Sequence, residues 1–333
     1  MPEPSFEILG VGNAIVDVVA PGEDAFLETH GLTKGAMALV SAEESARLYA
    51  AMPPGVESSG GSGANTCAVA AMLGARVAYL GKVADDQLGQ VFRRDIAAAG
   101  VHFPTPPLQG GMPTARCLIL VTPEGQRTMN TFLGASVAFD EGDVDEQLVA
   151  GSAVSYLEGY LFDPPAAQAA FRRVATVARR AGRQVALSLS DPFCVARHRE
   201  AFLSLLEDGV DLLFANEAEI TSLYETTSFE EAAARAAAEV PLCALTRSAE
   251  GSVILRGAER VAVAAEPVRV VDTTGAGDAY AAGFLVGHTR GRDLATCGKL
   301  ASLAAAAAIT QLGARPKMLP GADLREMAQP LLA

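Results

Sequence analysis

The chain contains no tryptophan and only 13 Phe and 6 Tyr among its 333 residues, so stacking against a flat ligand falls to those two types. Its five cysteines (Cys67, Cys117, Cys194, Cys243 and Cys297) are scattered, with no C-x-x-C. An odd, widely spaced set argues against a disulfide framework or a zinc site and reads as reduced thiols. His30, His102, His198 and His288 are equally dispersed, and no H-E-x-x-H occurs. Positive charge is short as well: 26 Lys plus Arg face 39 Asp plus Glu, a net charge of −13. That balance opposes a nucleic-acid binder, which wants a basic face to displace counterions, but not an anionic substrate in a local positive pocket. The most apolar window, Leu300 to Ile309, falls far short of the roughly 20 residues of a membrane span. The first residues lack the basic and apolar regions of a signal peptide. The expectation is a cytoplasmic protein with neither nucleic acid nor membrane as partner.

Two nucleotide fingerprints are missing too. Gly81-Lys82 and Gly298-Lys299 are followed by Val83 and Leu300, so there is no P-loop. Gly10-Val-Gly12-Asn-Ala-Ile15 begins like a dinucleotide fingerprint, but Ile15 replaces the third small residue. A nicotinamide-dependent dehydrogenase is disfavoured on that ground.

What is present is a foldable chain, half hydrophobic and one fifth charged, which excludes disorder for most of its length. Its length suits two average domains, or one large α/β domain with an appendage. Short apolar runs at 6–11, 76–80, 154–158, 185–189, 211–215, 242–246 and 252–255 predict strands. Ala-rich amphipathic stretches between them, at 63–73, 87–99, 165–181, 199–207, 217–224 and 229–238, predict helices. The alternation implies a mostly parallel sheet covered by helices on both faces, with its ligand at the carboxyl ends of the strands. Short β-like segments without crossover helices, at 15–20, 35–40 and 113–133, interrupt the series. They suggest a small discontinuous β lid from residues 15–40 and 112–135, over a large domain from 1–14, 41–111 and 136–333.

The strongest motif is Val271-Asp-Thr-Thr-Gly275-Ala276-Gly277-Asp278, read as a strand end, a loop of small residues and a helix start. Glycines let the backbone approach a ligand, and a helix start offers unpaired N–H groups and a dipole that favours negative charge. Together these make an anion hole, with Asp278 as a base for an attacking hydroxyl. The bland alternative is a turn with Asp278 capping a helix. Gly60-Gly61-Ser62-Gly63-Ala64-Asn65 again puts glycines before a helix, where amides and the Asn65 side chain suit ring hydroxyls; a capped flexible loop is the competitor. Asn13 and Asp17 lie where the chain leaves the sheet for the lid, and a carboxylate there suits two vicinal hydroxyls, or is a plain turn acid. Asn216 and Glu219 suit either a helix dipole or water around Mg²⁺. Thr246, Arg247 and Gly251 suit either a nucleotide phosphate channel or a β-turn.

In this order the motifs resemble the ribokinase-like, or PfkB-type, carbohydrate and nucleoside kinases. The segments that carry the likeness are Gly60–Gly100 and VDTTGAGDAYAAG at Val271–Gly283. Within that family, Gly12–Asp17, Arg127–Gly134, Leu157–Leu161 and Leu187–Cys194 look most like the bacterial adenosine-kinase branch. The resemblance implies a three-layer α/β/α fold and ATP- and Mg²⁺-dependent phosphorylation of the adenosine 5′-hydroxyl. It makes Asp278 the base and Gly275, Ala276 and Gly277 the anion hole. Asn13, Asp17, Gly61, Ser62 and Asn65 would hold the ribose, and Asn216 and Glu219 would organise Mg²⁺ and phosphate. Asp272 and Thr274 match ligand positions for a monovalent cation such as K⁺, whose other ligands would come from the loop at 308–317. Arg127 would reach the transferred phosphate, or is a plain solvated hairpin residue, and Phe132, Leu133, Met37 and Cys117 would wall the base, or simply pack the lid core. The alternatives are a sugar kinase of the same family, acting on ribose, fructose or a ketodeoxy acid, and a non-catalytic nucleoside binder. An apolar outer lid face would imply a lid-mediated homodimer, a polar one a monomer.

Overall fold

The computed structural model describes residues 3–316 and 323–333. Its strands are β1 (Phe6–Val11), β2 (Ile15–Pro21), β3 (Met37–Leu39), β4 (Val56–Gly60), β5 (Val77–Leu80), β6 (Val101–His102) and β7 (Ala115–Val121). They continue as β8 (Arg127–Phe132), β9 (Ser152–Glu158), β10 (Gln184–Ser188), β11 (Leu212–Asn216), β12 (Leu242–Thr246), β13 (Ser252–Arg256) and β14 (Glu259–Val263). Nine form one sheet in the order β14-β13-β12-β11-β10-β9-β1-β5-β6. Pairings from β12 to β6 are parallel, and β13 and β14 add antiparallel at one edge.

The pleat sorts alternate residues of each central strand into two cores. Ile8, Tyr79, Tyr156, Ala186 and Phe214 pack on one side, with helices Ala276–Thr289 and Leu294–Ile309. Leu9, Leu80, Leu157, Leu187 and Leu213 pack on the other, with helices Pro165–Arg180 and Pro192–Glu207. The result is the expected three-layer α/β/α architecture. Among the described residues no helix is long and apolar enough to cross a membrane.

A second sheet, β3-β8-β7-β2-β4, stands apart from the first. It draws on three pieces of chain, because β4 pairs antiparallel with β2 from within the stretch assigned above to the large domain. Val-Glu-Ser-Ser-Gly has no apolar alternation, so this edge strand is silent in the sequence pattern. Helices α1 (Asp24–His30) and α2 (Ala42–Ala51) are also additions to the expected elements; α2 begins with a Ser41–Glu44 capping box. They cover one face of the small sheet: Val18, Ala20, Leu118 and Leu120 are buried there, along with Leu27 and Leu48. The opposite face carries Asp17 and Ile15 and looks onto the cleft. Two further helices are α3 (Ser62–Met72) and α4 (Gln87–Ala98). One predicted strand is absent: the residues up to Val271 are irregular, with Val268, Val270 and Val271 exposed. Their β-branched side chains raise strand propensity, yet no strand among the described residues pairs with them.

Candidate active site

The glycine motif forms a left-handed turn at Gly275 (φ 76°, ψ 3°) that caps helix Ala276–Thr289. A Cβ on Gly275 would stand 2.1 Å from the Ala314 carbonyl oxygen, so only glycine fits. The Ala276 N–H donates to Thr273 O at 3.2 Å. Of the expected trio, Ala276 therefore spends its amide on the turn, and the next amides, of Gly277 and Asp278, are the donors at the helix start. Gly277 itself has room around it: a Cβ there would meet nothing within 4 Å.

Asp278 reaches back from this turn to α3. Ser62 Oγ donates to its Oδ1 at 2.6 Å, and Asn65 Nδ2 to its Oδ2 at 3.1 Å. Burial raises the Asp278 pKa, against the lowering effect of these two bonds and of Arg315. Asp17, on the cleft face of the lid, packs so closely on Gly60 that a Cβ there would lie 2.4 Å from its carboxyl group. Burial pushes Asp17 up to about 6, with Arg315 and then Arg127 opposing and Asp278 adding to the rise. Asp17, Ser62, Asn65 and Asp278 are thus brought into one cleft.

Asn13 is not presented in the same way. Its backbone N–H and its side-chain amide each donate to Glu158 at 3.1 Å, and Gly63 N–H donates to the same carboxylate at 2.7 Å. Asn13 is 1% exposed, so it braces the loop from behind. Gly61 (φ 96°) serves the same brace, since a Cβ would strike Asn13 O at 2.2 Å. Glu158, itself buried, is pushed up to about 7 by burial against those three donors. Sequence reasoning named neither Glu158 nor Arg315 as a site residue. For Glu158 a signal existed, an acid at the carboxyl end of an otherwise apolar strand.

Arg127 of the lid hairpin is paired with Asp272 of the glycine motif, both side chains being nearly buried. Lid register separates the proposed apolar wall. Cys117 pairs with Thr131 and Arg116 with Phe132, and Arg116 bonds Ser45 of α2. Phe132 therefore belongs to the helix-covered face and is corrected from the wall. Leu133 and Met129 instead pack with Ile15, Cys117 and Ile119 on the cleft face. Met37, opposite Met129, shares that face.

At the other end of the cleft, Asn216 and Thr246 end neighbouring strands. Asn216 caps the helix Glu217–Leu223 in a capping box with Glu219, whose pKa burial lifts to about 7. Asp191, at the start of helix Pro192–Glu207, adds to that rise. Arg247 is turned to Glu217 and Glu250 and lies over the Phe229 ring. Gly251 is required by hairpin packing, a Cβ there meeting Val263 O at 2.0 Å. For these two the turn reading accounts for what is seen.

Residues 31–320 match the pfkB family of carbohydrate kinases. The chain belongs to that family. A crystal structure of adenosine kinase from Sinorhizobium meliloti is 52% identical, with a TM-score of 0.88 over 98% of this chain and 99% of that one. A probable sugar kinase from Rhizobium etli is 49% identical, with a TM-score of 0.90 over 99% and 100%. Among curated relatives, adenosine kinase of Saccharomyces cerevisiae is 27% identical, covering 91% of this chain and 94% of its own. This pfkB kinase is accordingly a phosphotransferase acting on an alcohol group, and its family implies ATP.

Whether its residues fit the cations implied by the family differs between the two. Among the described residues no group of three His, Cys, Asp or Glu could hold a metal directly. A buried Glu219 with Asp191 nearby fits Mg²⁺ held through water and nucleotide phosphates, its usual habit. Asp272 does not fit a monovalent cation here. Its Oδ1 accepts from Thr274 N–H and Oγ, and its Oδ2 from Gly313 N–H and Arg127. The guanidinium already supplies the positive charge. Lys317, the last residue of the loop expected to complete that set, lies outside the described residues.

The glycine geometry makes a paired prediction. Gly275→Ala, forced to φ 76° against Ala314, is expected to lose about 1–3 kcal/mol of stability or more in urea unfolding. Gly277→Ala is expected to unfold like the wild type or later, yet to lose phosphoryl transfer as its methyl fills the open space. Equal stability losses in both variants would contradict this reading.

Proposed function

We propose that this kinase transfers the γ-phosphoryl group of ATP, with Mg²⁺, to the 5′-hydroxyl of adenosine, yielding AMP and ADP. The observation that carries the proposal is the Asp278 carboxylate, fixed by Ser62 and Asn65 at a helix start where a Cβ on Gly277 would meet nothing within 4 Å. Asp278 takes the hydroxyl proton as the new O–P bond forms and the bond to the ADP oxygen breaks. Gly277 and Asp278 amides, at the end of the Gly275–Gly277 turn, receive the phosphoryl oxygens. Asp17 accepts from vicinal ribose hydroxyls. Arg127 leaves Asp272 for the incoming phosphate and carries the lid with it, excluding water. Mg²⁺, when bound near Asn216 and Glu219, supplies charge neutralisation at the phosphates.

The lid argues for a nucleoside over a bare sugar. Its cleft face continues from Cys117 and Ile119 to Met129, Met37 and Leu39, the last two 53% and 60% exposed. Free sugars need hydrogen bonds more than such a wall, whereas a nucleobase uses apolar area. The likeness to the Sinorhizobium adenosine kinase supports the same acceptor. Because α1 and α2 already cover the apolar outer lid face, we read the protein as a monomer; light scattering at a dimer mass would contradict this.

A panel of nucleosides and sugars with ATP and Mg²⁺, scored by ADP release, tests the acceptor. Adenosine is expected to lead; ribose or fructose leading would install the sugar-kinase alternative. Asp278→Asn is expected to lower turnover about 10²–10⁴-fold with nucleotide binding retained by calorimetry, and wild-type turnover would remove Asp278 as base. Burial raises Asp17 to about 6 and raises Asp278 as well, so kcat/KM is expected to fall as pH drops through about 6, where Asp17 gains a proton and loses its acceptor role. An acid limb near the ordinary aspartate range, about 4, would contradict the assignment.

A further inference from the structure

Arg315 enters the cleft from the loop that backs the glycine turn. That loop is held at two points: the Ala314 carbonyl is wedged against Gly275, and Gly313 N–H donates to Asp272 at 3.0 Å. The Arg315 side chain is 15% exposed. Its Nε donates to Asn65 Oδ1 at 2.8 Å, and its Nη1 to Ser59 Oγ at 3.0 Å, with Asp95 at 3.8 Å. Ser59 in turn donates to Asp95 through N–H and Oγ.

We propose that Arg315 is a positioning residue of the acceptor site, which locks the Asn65 amide onto Asp278 and supplies a positive charge shared by Asp278 and Asp17. The proposal rests on the reading of Asp278 as base. A guanidinium only donates, so Asn65 has to show it the oxygen and turn Nδ2 to Asp278. Acting through Asn65, the arginine favours the ionised base without an ion pair that would sequester the carboxylate oxygens.

The groups facing each partner are few. Around Arg315 stand Asp17 from β2, Asp95 from α4, Asp278 from the glycine-motif helix and Cys67 from α3. Around Asp17 stand Arg315, Arg127 and Asp278, with Cys117 beside it on the neighbouring strand. Asp278 meets Ser62, Asn65 and Arg315, and its charge also acts on Asp17, Glu158, Tyr79, Tyr156 and Tyr160. Of the cations, Arg315 acts on both carboxylates. Glu158 also titrates near neutrality, but the influences on it are burial, Gly63, Asn13 and Asp278. Arg315 is not among them, so its charge reaches Glu158 only through Asp278.

Arg315→Met and Arg315→Lys test the proposal. In the unliganded protein with ¹³C-carboxyl aspartate, assigned through Asp17→Asn and Asp278→Asn, both carboxylates are expected to titrate at higher pH in Arg315→Met. In turnover, the wild-type advantage in kcat/KM over Arg315→Met is expected to be at least about tenfold larger at pH 6 than at pH 8.5, with the KM for ATP unchanged. Arg315→Lys is expected to restore the acid limb but not kcat, because an ammonium keeps the charge and loses the planar fork. Carboxylates that titrate as in the wild type, or a uniform loss at every pH, would overturn the role. If Arg315→Met does not fold, a Lys variant with wild-type kcat overturns it equally. A wild type that phosphorylates no alcohol removes the functional reading, while the unliganded titration still decides Arg315.

Discussion

A buried carboxylate needs donors, and those that hold Asp278 come from α3, more than 200 residues earlier in the chain. Much of the cleft depends on that meeting. It sets the end of the helix Ala276–Thr289 against the start of α3, so two helix N-termini face one space beneath the carboxyl ends of the parallel strands. Desolvation drives the carboxyl pKa up, and Ser62, Asn65 and Arg315 pull it back. That opposition is what the proposed base requires: burial makes the carboxylate more basic, and its donors favour the ionised form. Neither effect alone gives a useful base.

The lid extends the same logic outward. It is a sheet with two different faces, one sealed by α1 and α2 and one carrying Asp17, Cys117, Ile119 and Met129 toward the cleft. Strand alternation fixes this division, and it is why Arg127 and Phe132, five residues apart, serve opposite sides. Arg127 ties the lid to the glycine motif through Asp272, and the same arginine meets the need for positive charge there. Lid and glycine motif are therefore linked by one ion pair, the contact that the proposed function has Arg127 give up for phosphate.

Much of this was legible in advance where a residue type is forced by local chemistry. The D-T-T-G-A-G-D run marked the turn because Gly275 demands a left-handed backbone, and the central strands declared themselves as short apolar runs. What stayed hidden depends on long-range pairing. β4 is a polar edge strand that only β2 makes a strand. The valines before Asp272 have strand propensity, but among the described residues no strand lies beside them, and Val271 N–H donates to Ile309 O instead. Asn13 looks like a sugar ligand until Glu158, 145 residues away, is seen to take its amide. Arg315 sits in an irregular loop with no motif of its own, and its partners come from β4 and α3.

The central claim is that an alcohol, held by Asp17 under the lid, meets a phosphoryl group at the Gly277–Asp278 amides with Asp278 as its base. The most direct measurement is a crystal structure with ADP, Mg²⁺, aluminium fluoride and adenosine. The account predicts the fluoride group over those amides and the 5′-hydroxyl within hydrogen-bond reach of Asp278. A hydroxyl directed away from Asp278, or a fluoride group bound elsewhere in the cleft, would contradict it.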